Sequence, residues 1–231
     1  MKLAEPKGRV LVTQSDNQQF NRGFEFGRLA SCELQPTART LEYYAENAER
    51  FSSTTADVEF SAMQKRFESL LAPGAKVLDF GCGSGRDAKH FLELGFEVVA
   101  TDGSPELCKI AEQNIGIPVR NELFQELSEI EEYDGIWACS SILHLPKGEL
   151  ADVLDKMAAA LKKDGIVYTS FKYGSFEGIR NGRYFTDFTE PLFRAFIDPI
   201  EHLVIEEYWT SADVRPGRED EKWLNLLLRK V

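Results

Sequence analysis

Strand-like and helix-like segments alternate along the middle of the sequence, and this alternation is the strongest constraint on the fold. Short apolar runs predict five strands, at 76–80, 96–102, 117–123, 134–139 and 165–171. Helical patterns, with apolar residues three or four positions apart, follow the first, second and fourth of these strands. Strands that alternate with helices at this spacing form parallel sheets through right-handed crossovers. We therefore predict an α/β fold in which helices cover both faces of a mostly parallel sheet.

The last third of the sequence breaks this rhythm. Two strand-like segments, 202–209 and 223–231, are separated by a polar stretch that has no helical pattern. A connection without a helix joins antiparallel neighbours readily but does not easily make a parallel crossover. We therefore predict that the sheet ends in an antiparallel C-terminal hairpin, which completes a seven-stranded sheet in a three-layer sandwich.

The residues before the first predicted strand fall into two parts. Residues 1–38 fit no element of the pattern and are predicted to be an N-terminal extension, for which the sequence indicates no role. Residues 39–231 are predicted to form the main domain. Within that domain, 40–71 has the pattern of two helices, which we expect to cover an open edge of the sheet.

Charge and cysteine spacing narrow the classes of partner. The net charge of −11 leaves no broad basic surface to attract nucleic acid or anionic lipid. The sequence shows neither the apolar core of a signal peptide nor an apolar stretch long enough to span a bilayer. Its four cysteines form no CxxC pair, which argues against a disulfide framework or a zinc site. We therefore expect a cytoplasmic protein with reduced thiols, no bound metal, and no membrane or nucleic-acid partner.

A glycine-rich loop joins the first predicted strand to its helix. In VLDFGCGSGRD, the residues Gly81, Gly83 and Gly85 alternate with larger ones. Such a loop, at the carboxyl end of a strand, lets backbone N–H groups and a helix N-terminus approach a ligand. Asp102 ends the second strand about twenty residues later, where a carboxylate can accept hydrogen bonds from both hydroxyls of a ribose. Together these features predict a site for a nucleotide-like cofactor.

The glycine spacing distinguishes between two kinds of adenosine cofactor. Dinucleotide-binding folds favour GxGxxG, but here the spacing is GxGxG and Arg86 stands where the third glycine would be. The motif VLDFGCGSG and the acid at Asp102 resemble those of the class I S-adenosylmethionine (SAM) dependent methyltransferases, which have a Rossmann-like fold. The segment EYDGIWACSSILHLPKGEL is similar to the fourth-strand motif of that family, and the terminal hairpin resembles its reversed seventh strand. The resemblance runs from Leu41 to the C-terminus and is strongest to small bacterial enzymes related to tellurite-resistance and quinone-biosynthesis methyltransferases.

The resemblance implies a set of cofactor-binding residues. Asp79 would order the glycine loop and face the methionine amino group of SAM, and Asp102 would bind its ribose. The other residues implied to contact SAM, or its product S-adenosylhomocysteine (SAH), are Gly81, Cys82, Gly83, Gly103, Leu123, Phe124, Cys139 and Ser140. Many relatives carry an aspartate at the position of Leu123, so the amino group of adenine would here meet backbone, Glu122 or Gln125.

Methyl transfer needs alignment of the nucleophile, the methyl group and the sulfur more than it needs side-chain chemistry. If the acceptor must lose a proton, His144 is the candidate catalytic base; the alternative is an imidazole that bonds a loop carbonyl. The residues expected near the acceptor are Tyr43, Tyr44, Arg183 and Tyr184. The first two would either close over the cofactor or pack in the core, and Arg183 would either bind an anionic group or remain a solvated loop residue.

The sequence therefore predicts a SAM-dependent methyltransferase that acts on a small-molecule acceptor, as a monomer or a homodimer. Two alternatives remain open at this point. One is a non-catalytic module that binds SAM or SAH, and the other, disfavoured by the GxGxG spacing, is an NAD-dependent oxidoreductase. A cavity of substrate size beside the methyl group would favour the enzyme over the binding module.

Overall fold

The computed structural model describes residues 35–56, 58–215 and 217–231 of the chain. Its helices are α1 (Pro36–Thr55), α2 (Ser61–Glu68), α3 (Arg86–Glu93), α4 (Pro105–Ile115), α5 (Lys147–Ala160) and α6 (Glu190–Ile197). Its strands are β1 (Lys76–Phe80), β2 (Glu97–Asp102), β3 (Val119–Asn121), β4 (Tyr133–Ala138), β5 (Leu161–Lys172), β6 (Glu177–Arg180), β7 (Arg183–Thr186), β8 (Leu203–Ala212) and β9 (Lys222–Lys230). Single 3-10 turns span Phe124–Glu126 and Ile142–His144. The predicted N-terminal extension lies outside the described residues except at 35–38, where α1 begins.

Seven strands form one sheet in the order β3-β2-β1-β4-β5-β9-β8. β1 to β5 run parallel, whereas β9 lies antiparallel between β5 and β8. The predicted three-layer, Rossmann-like sandwich with an antiparallel terminal hairpin is confirmed. β1 and β4 are neighbours in the sheet, and the chain continues from β1 to β2 on one side and from β4 to β5 on the other. This reversal of direction opens a crevice at the carboxyl ends of β1 and β4.

Alternate residues of the central strands face two separate cores. Along β4, Ile136 and Ala138 belong to the core beneath α5 and α6, whereas Trp137 belongs to the core beneath α2, α3 and α4. In β5, Val167 and Tyr168 divide between the two cores in the same way. Burial on both faces explains why these strands are almost continuously apolar in the sequence.

The two N-terminal helices do not take the edge position that the sequence led us to expect. α2 packs on a face of the sheet, where Phe67 is fully buried with its ring centroid 5.2 Å from that of Trp137. α1 instead lies over the crevice, and its residues that line the cavity there are Thr37, Thr40, Leu41, Tyr44, Phe51 and Thr55. The expectation that α1 covers an edge of the sheet is wrong. Its cavity-lining residues lie mostly three or four positions apart and so form one stripe of mixed polarity along the helix, and this stripe faces the crevice.

A small antiparallel hairpin of β6 and β7 was not predicted. It turns through Asn181 and Gly182, whose φ angles of 52° and 79° are typical of a two-residue hairpin turn. The Asn-Gly pair in "RNGRYF" was a local signal for this turn, but the flanking strands of four residues each are too short for a clear alternating pattern. The hairpin brings Arg183 to the crevice. None of the helices in the described part of the chain has both the length and the apolarity to cross a bilayer.

Candidate active site

A cavity of about 540 Å³ lies at the carboxyl ends of the central strands. One end, which we call the loop end, is lined by residues 81–84, by 102–103 and by 123–125. The other end, which we call the hairpin end, is lined by residues of the β6–β7 hairpin and of the connection from β8 to β9. α1 runs along both. The volume lies within the range of about 300–1,000 Å³ that is usual for small-molecule sites.

The loop glycines are required by their backbone conformation and by neighbouring side chains. Gly81, Gly83 and Gly85 have φ angles of 85°, 57° and 83°, which other residues adopt only with strain. A Cβ atom on Gly81 would lie 2.5 Å from the Cβ of Ser141, and one on Gly85 would lie 2.7 Å from Cγ2 of Ile115. Protein side chains therefore close one side of the loop, and its backbone forms part of the cavity wall.

Asp102 links the end of β2 to this loop. Its Oδ2 accepts the N–H of Gly83 at 2.9 Å, and its Oδ1 accepts the N–H of Ser104 at 2.8 Å. Burial raises the pKa of Asp102 to about 6, and the two backbone hydrogen bonds limit the rise. Each oxygen keeps a further lone pair, so the carboxylate can still accept hydrogen bonds from a ligand in the cavity.

Asp79, in β1 and in register with Ala100 of β2, is buried, and its Oδ2 has no hydrogen-bond partner among the described residues. Burial raises the pKa of Asp79 well above its usual value, and the negative charge of Asp87 adds to this rise. Unlike the other residues implied to bind the cofactor, Asp79 is not part of the cavity wall. A buried carboxylate oxygen without a donor is unusual, and a cationic ligand close to the loop would stabilise its charged form.

Gln125, in the 3-10 turn after β3, provides a polar group beside the expected adenine contacts Gly103, Leu123 and Phe124. All four residues line the cavity. The side-chain amide of Gln125 donates to Glu149 at 2.5 Å, which indicates the orientation of the amide. Its Oε1 is buried and has no partner among the described residues. Of the two side chains considered for the adenine amino group, Gln125 lines the cavity and Glu122 does not.

Three residues in the wall, Cys82, Cys139 and Ser140, were implied to contact the cofactor. Burial raises the pKa of the Cys139 thiol to about 12 and that of Cys82 well above its usual value. Both thiols are therefore protonated at neutral pH, and neither is an activated nucleophile. Ser140 has a left-handed backbone with φ 53°, and its N–H donates to the Ser170 hydroxyl at 3.0 Å.

His144 is buried in the 3-10 turn that follows β4, and both of its ring nitrogens have partners. Nδ1 lies 2.6 Å from the carbonyl oxygen of Tyr184, and Nε2 lies 2.9 Å from the hydroxyl of Tyr44. Because a carbonyl only accepts, Nδ1 carries the proton, and Nε2 accepts from Tyr44. Burial lowers the pKa of His144 to about 3, so the ring is neutral at physiological pH. The ring therefore bonds a backbone carbonyl, as in the alternative considered above, but that carbonyl belongs to strand β7 and not to a loop. The catalytic role of His144 stays a prediction, and with this geometry it requires Tyr44 as an intermediary.

Of the four residues expected near the acceptor, Tyr44 and Arg183 line the cavity. Tyr43 and Tyr184 are not part of the cavity wall described by the structure. The ring of Tyr43 lies 4.5 Å from the Arg183 guanidinium, and Tyr184 acts through its backbone, which donates to Thr40 and accepts from His144. Contact of Tyr43 and Tyr184 with the acceptor stays a prediction, and in this structure both support residues of the wall, Arg183 and His144.

Sequence reasoning missed several residues of the wall, among them Leu41, Phe51 and Ser141. A Cβ atom on Gly103 would lie 2.9 Å from the Leu41 side chain, and one on Gly83 would lie 3.1 Å from the Phe51 ring. Both α1 side chains therefore lie directly against the glycines. The hydroxyl of Ser141 donates to the Phe80 carbonyl at 2.7 Å and so holds the turn against the loop. The regular spacing along α1 was a signal for the first two, but nothing local indicated that this stripe faces a ligand site.

Comparison with known proteins agrees with this architecture. Residues 77–165 match the methyltransferase domain family. This stretch, from β1 to the start of β5, is therefore similar to methyltransferase domains. The fold of the chain is similar to that of the 1,6-didemethyltoxoflavin-N1-methyltransferase of Burkholderia thailandensis, solved with 1,6-didemethyltoxoflavin and SAH, with a TM-score of 0.69 and 24% identity over 85% of this chain and 91% of that one. It is also similar to a TehB-like SAM-dependent methyltransferase from Corynebacterium glutamicum, with a TM-score of 0.60 and 21% identity over 83% and 98% of the two chains.

Among curated sequences, part of the chain resembles the ubiquinone biosynthesis O-methyltransferase of Xanthomonas campestris pv. campestris (strain B100). The two are 30% identical over 105 residues, which are 42% of this chain and 43% of the relative. The chain spans about half the length of the curated relatives it matches. The predicted resemblance to class I methyltransferases is confirmed.

Proposed function

We propose that the chain is a SAM-dependent methyltransferase that transfers a methyl group to a small-molecule acceptor and releases SAH. The observation that carries the proposal is a pair of carboxylates, the buried Asp79 and the half-buried Asp102, beside a glycine loop whose backbone lines the cavity. Asp79 has an unpartnered oxygen suited to an ammonium group, and Asp102 has free lone pairs suited to hydroxyls. SAM carries both groups, on its methionine and on its ribose.

The residues of the loop end fit the rest of the cofactor. Leu123 and Phe124 provide an apolar wall for adenine, and the free Oε1 of Gln125 is an acceptor for its exocyclic amino group. The backbone of Gly81 to Ser84 would follow the methionine and ribose portions, since only a loop without bulky side chains allows so close an approach. Asp79 would reach the amino group through an intervening water because it lies outside the cavity wall.

The chain's own contribution to the reaction is alignment and exclusion of water. SAM supplies an electrophilic methyl group on a sulfonium, and transfer requires the acceptor atom, the carbon and the sulfur to lie in line. The cavity continues from the loop end to the hairpin end, so an acceptor at the hairpin end would approach the methyl group from one direction. Its wall there includes Tyr44 and Arg183, and α1 closes over it. This continuous cavity supports an enzyme over a module that only binds SAM.

Calorimetry with the purified chain, stripped of any co-purified ligand, tests the cofactor assignment. We expect micromolar binding of SAM and SAH and no binding of NAD. Binding of NAD alone would overturn the reading of the glycine loop. Binding of SAM without methyl transfer in a broad acceptor screen, followed by mass spectrometry of the products, would favour the non-catalytic module.

A further inference from the structure

Arg183 is set apart from the other arginines of the cavity wall by its lack of an anionic partner. Arg86, Arg180, Arg215 and Arg218 each pair with a carboxylate, at N–O distances of 2.8, 3.0, 2.5 and 3.6 Å. Among the described residues, Arg183 forms no such pair. It is half-buried at the hairpin end of the cavity, where it cannot be fully hydrated. Among the described residues, Arg183 is therefore the arginine of the wall that contacts no carboxylate.

The donors of Arg183 are also incompletely used. Nη1 donates to the Tyr44 hydroxyl at 3.2 Å, while Nε is buried and has no partner among the described residues. Buried donors without an acceptor are rare in folded proteins and call for a missing group. Nη2 also makes no hydrogen bond among the described residues, and unlike Nε it is not buried, so it is the donor that a carboxylate in the cavity would contact. The aromatic rings of Tyr43 and Phe185, 4.5 and 5.1 Å from the guanidinium, attract its charge but accept no conventional hydrogen bond.

The hydrogen-bond chain behind Arg183 fixes its orientation. His144 donates from Nδ1 to the Tyr184 carbonyl and accepts at Nε2, so the Tyr44 hydroxyl gives its own hydrogen to His144. The Tyr44 oxygen therefore offers only lone pairs to Arg183 and holds Nη1 in place. In this role His144 is a positioning residue, because it acts through Tyr44.

We propose that Arg183 binds a carboxylate of the small molecule that occupies the hairpin end, oriented by Tyr44 and His144. Calling that molecule the methyl acceptor rests on the proposed function, but the carboxylate site itself does not. The net charge of −11 gives no general attraction for anions, so recognition of one depends on this local cation and its unused donors. The paired arginines are less suited to the task because each already contacts a carboxylate.

Nitrogen-15 NMR of the arginine Nε–H groups tests the proposal on the full chain, with and without SAH. The probes are acetate and benzoate, with acetamide and benzamide as uncharged controls of matched shape, all at constant ionic strength. We expect both carboxylates to shift one arginine resonance saturably and the amides to act at least tenfold more weakly. Arg183→Gln should remove that response. Arg120→Gln, which removes a charge paired with Glu129 outside the cavity wall, should leave it within twofold.

Each outcome decides for or against the carboxylate site. No saturable shift with either carboxylate, an equal response to the amides, or a response that survives in Arg183→Gln would overturn it. Tyr44→Phe provides a second variant, in which loss of the tether should weaken carboxylate binding severalfold without changing SAH affinity. Circular dichroism verifies that each variant is folded. Failure of the wild-type chain to bind SAH would count against the proposed function and leave the carboxylate result standing.

Discussion

Asp102 holds the glycine loop and, under the proposed function, the ribose of SAM with the same two oxygens. Asp102→Ala removes both acceptors, and we expect it to weaken SAM binding by about 1–3 kcal/mol because buried ribose hydroxyls lose their partner. Calorimetry measures the change. Glu106→Ala, which removes a nearby carboxylate outside the cavity wall, is the matched control and should have little effect. Unchanged SAM affinity in Asp102→Ala would contradict the ribose assignment.

The raised pKa of Asp102 also predicts how SAM affinity depends on pH. The ionised carboxylate accepts hydrogen bonds from both hydroxyls, whereas the protonated acid loses part of that capacity. Because the pKa of Asp102 is about 6, we expect SAM affinity to fall as pH is lowered from 7 to 5. Asp102→Asn should show a smaller fall, with the remainder due to Asp79, whose pKa is also raised. Wild-type affinity that is constant over this range would argue against both carboxylates as ligands.

The proposed contact of Gln125 with the adenine amino group is tested by comparing the affinity of the chain for two nucleosides. We expect the wild-type chain to bind SAH more tightly than S-inosylhomocysteine, in which oxygen replaces the adenine amino group, by about 1–2 kcal/mol. Gln125→Met should lose this preference, because the Oε1 acceptor is gone. Glu122→Gln should retain it, since Glu122 is not part of the cavity wall. A preference that persists in Gln125→Met would assign the amino group to the backbone instead.

The loop that joins β1 to α3 ends at Gly85, which has a positive φ and also lies in close contact with α4. Gly95 and Gly85 both have positive φ, but a Cβ on Gly95 would meet nothing within 4 Å, whereas one on Gly85 would strike Ile115 of α4. We expect Gly95→Ala to lower the free energy of unfolding by about 1–2 kcal/mol through backbone strain alone. Gly85→Ala should lose a further 1–3 kcal/mol, roughly, from overpacking.

Urea denaturation of the two variants separates strain from steric conflict. Gly148→Ala is the control, because Gly148 is exposed in α5, has no positive φ and has open space at its Cβ. In a helix this change should stabilise the chain by up to about 1 kcal/mol. If Gly85→Ala costs no more than Gly95→Ala, the close contact between the loop and α4 does not limit the fold.

The regular elements were predictable wherever one periodicity ran for five or more residues. The strands β1, β4, β5 and β9 were found because burial on both faces leaves a nearly continuous apolar run, whereas β3 and β8 bury only one residue each. β6 and β7 were missed because four residues allow only two alternations, although the Asn-Gly turn between them was visible. The position of α1 was missed for a different reason. Its stripe has ordinary helical spacing, and this spacing does not distinguish a helix face that lines a ligand cavity from one that packs on the sheet.

At the scale of the whole molecule, His144 links three elements: α1, the 3-10 turn that follows β4, and strand β7. The burial of its ring makes the stability of the fold depend on pH. Its folded pKa of about 3 lies below the ordinary value of 6.5, so the unfolded chain binds the proton more strongly. The stabilising contribution of the neutral ring is therefore present above about pH 6.5 and is lost as pH falls. Between pH 7.5 and 5 we expect the stability advantage of the wild type over His144→Gln to shrink by about 2 kcal/mol.

Urea denaturation at several pH values measures this difference. Asp79 and Asp102 act in the opposite direction, because their raised pKa values let the folded chain retain protons at higher pH than the unfolded one. The comparison with His144→Gln removes their contribution, since both proteins carry them. A stability difference that does not change with pH would mean that the ring is accessible to protons in the folded chain.

Short stretches of sequence were enough to predict the order of strands and helices, the conformation of the glycine loop and the acid at the end of β2. Those features depend on the period of apolar residues and on local backbone preference, which neighbours in the chain decide. The free oxygen of Asp79, the tethered His144 and the contacts of Arg183 required the folded chain. Arg183 meets Tyr44 across 139 positions and Tyr44 meets His144 across 100. Whether a polar group keeps a free donor or acceptor depends on which distant residues surround it, and only tertiary packing decides that.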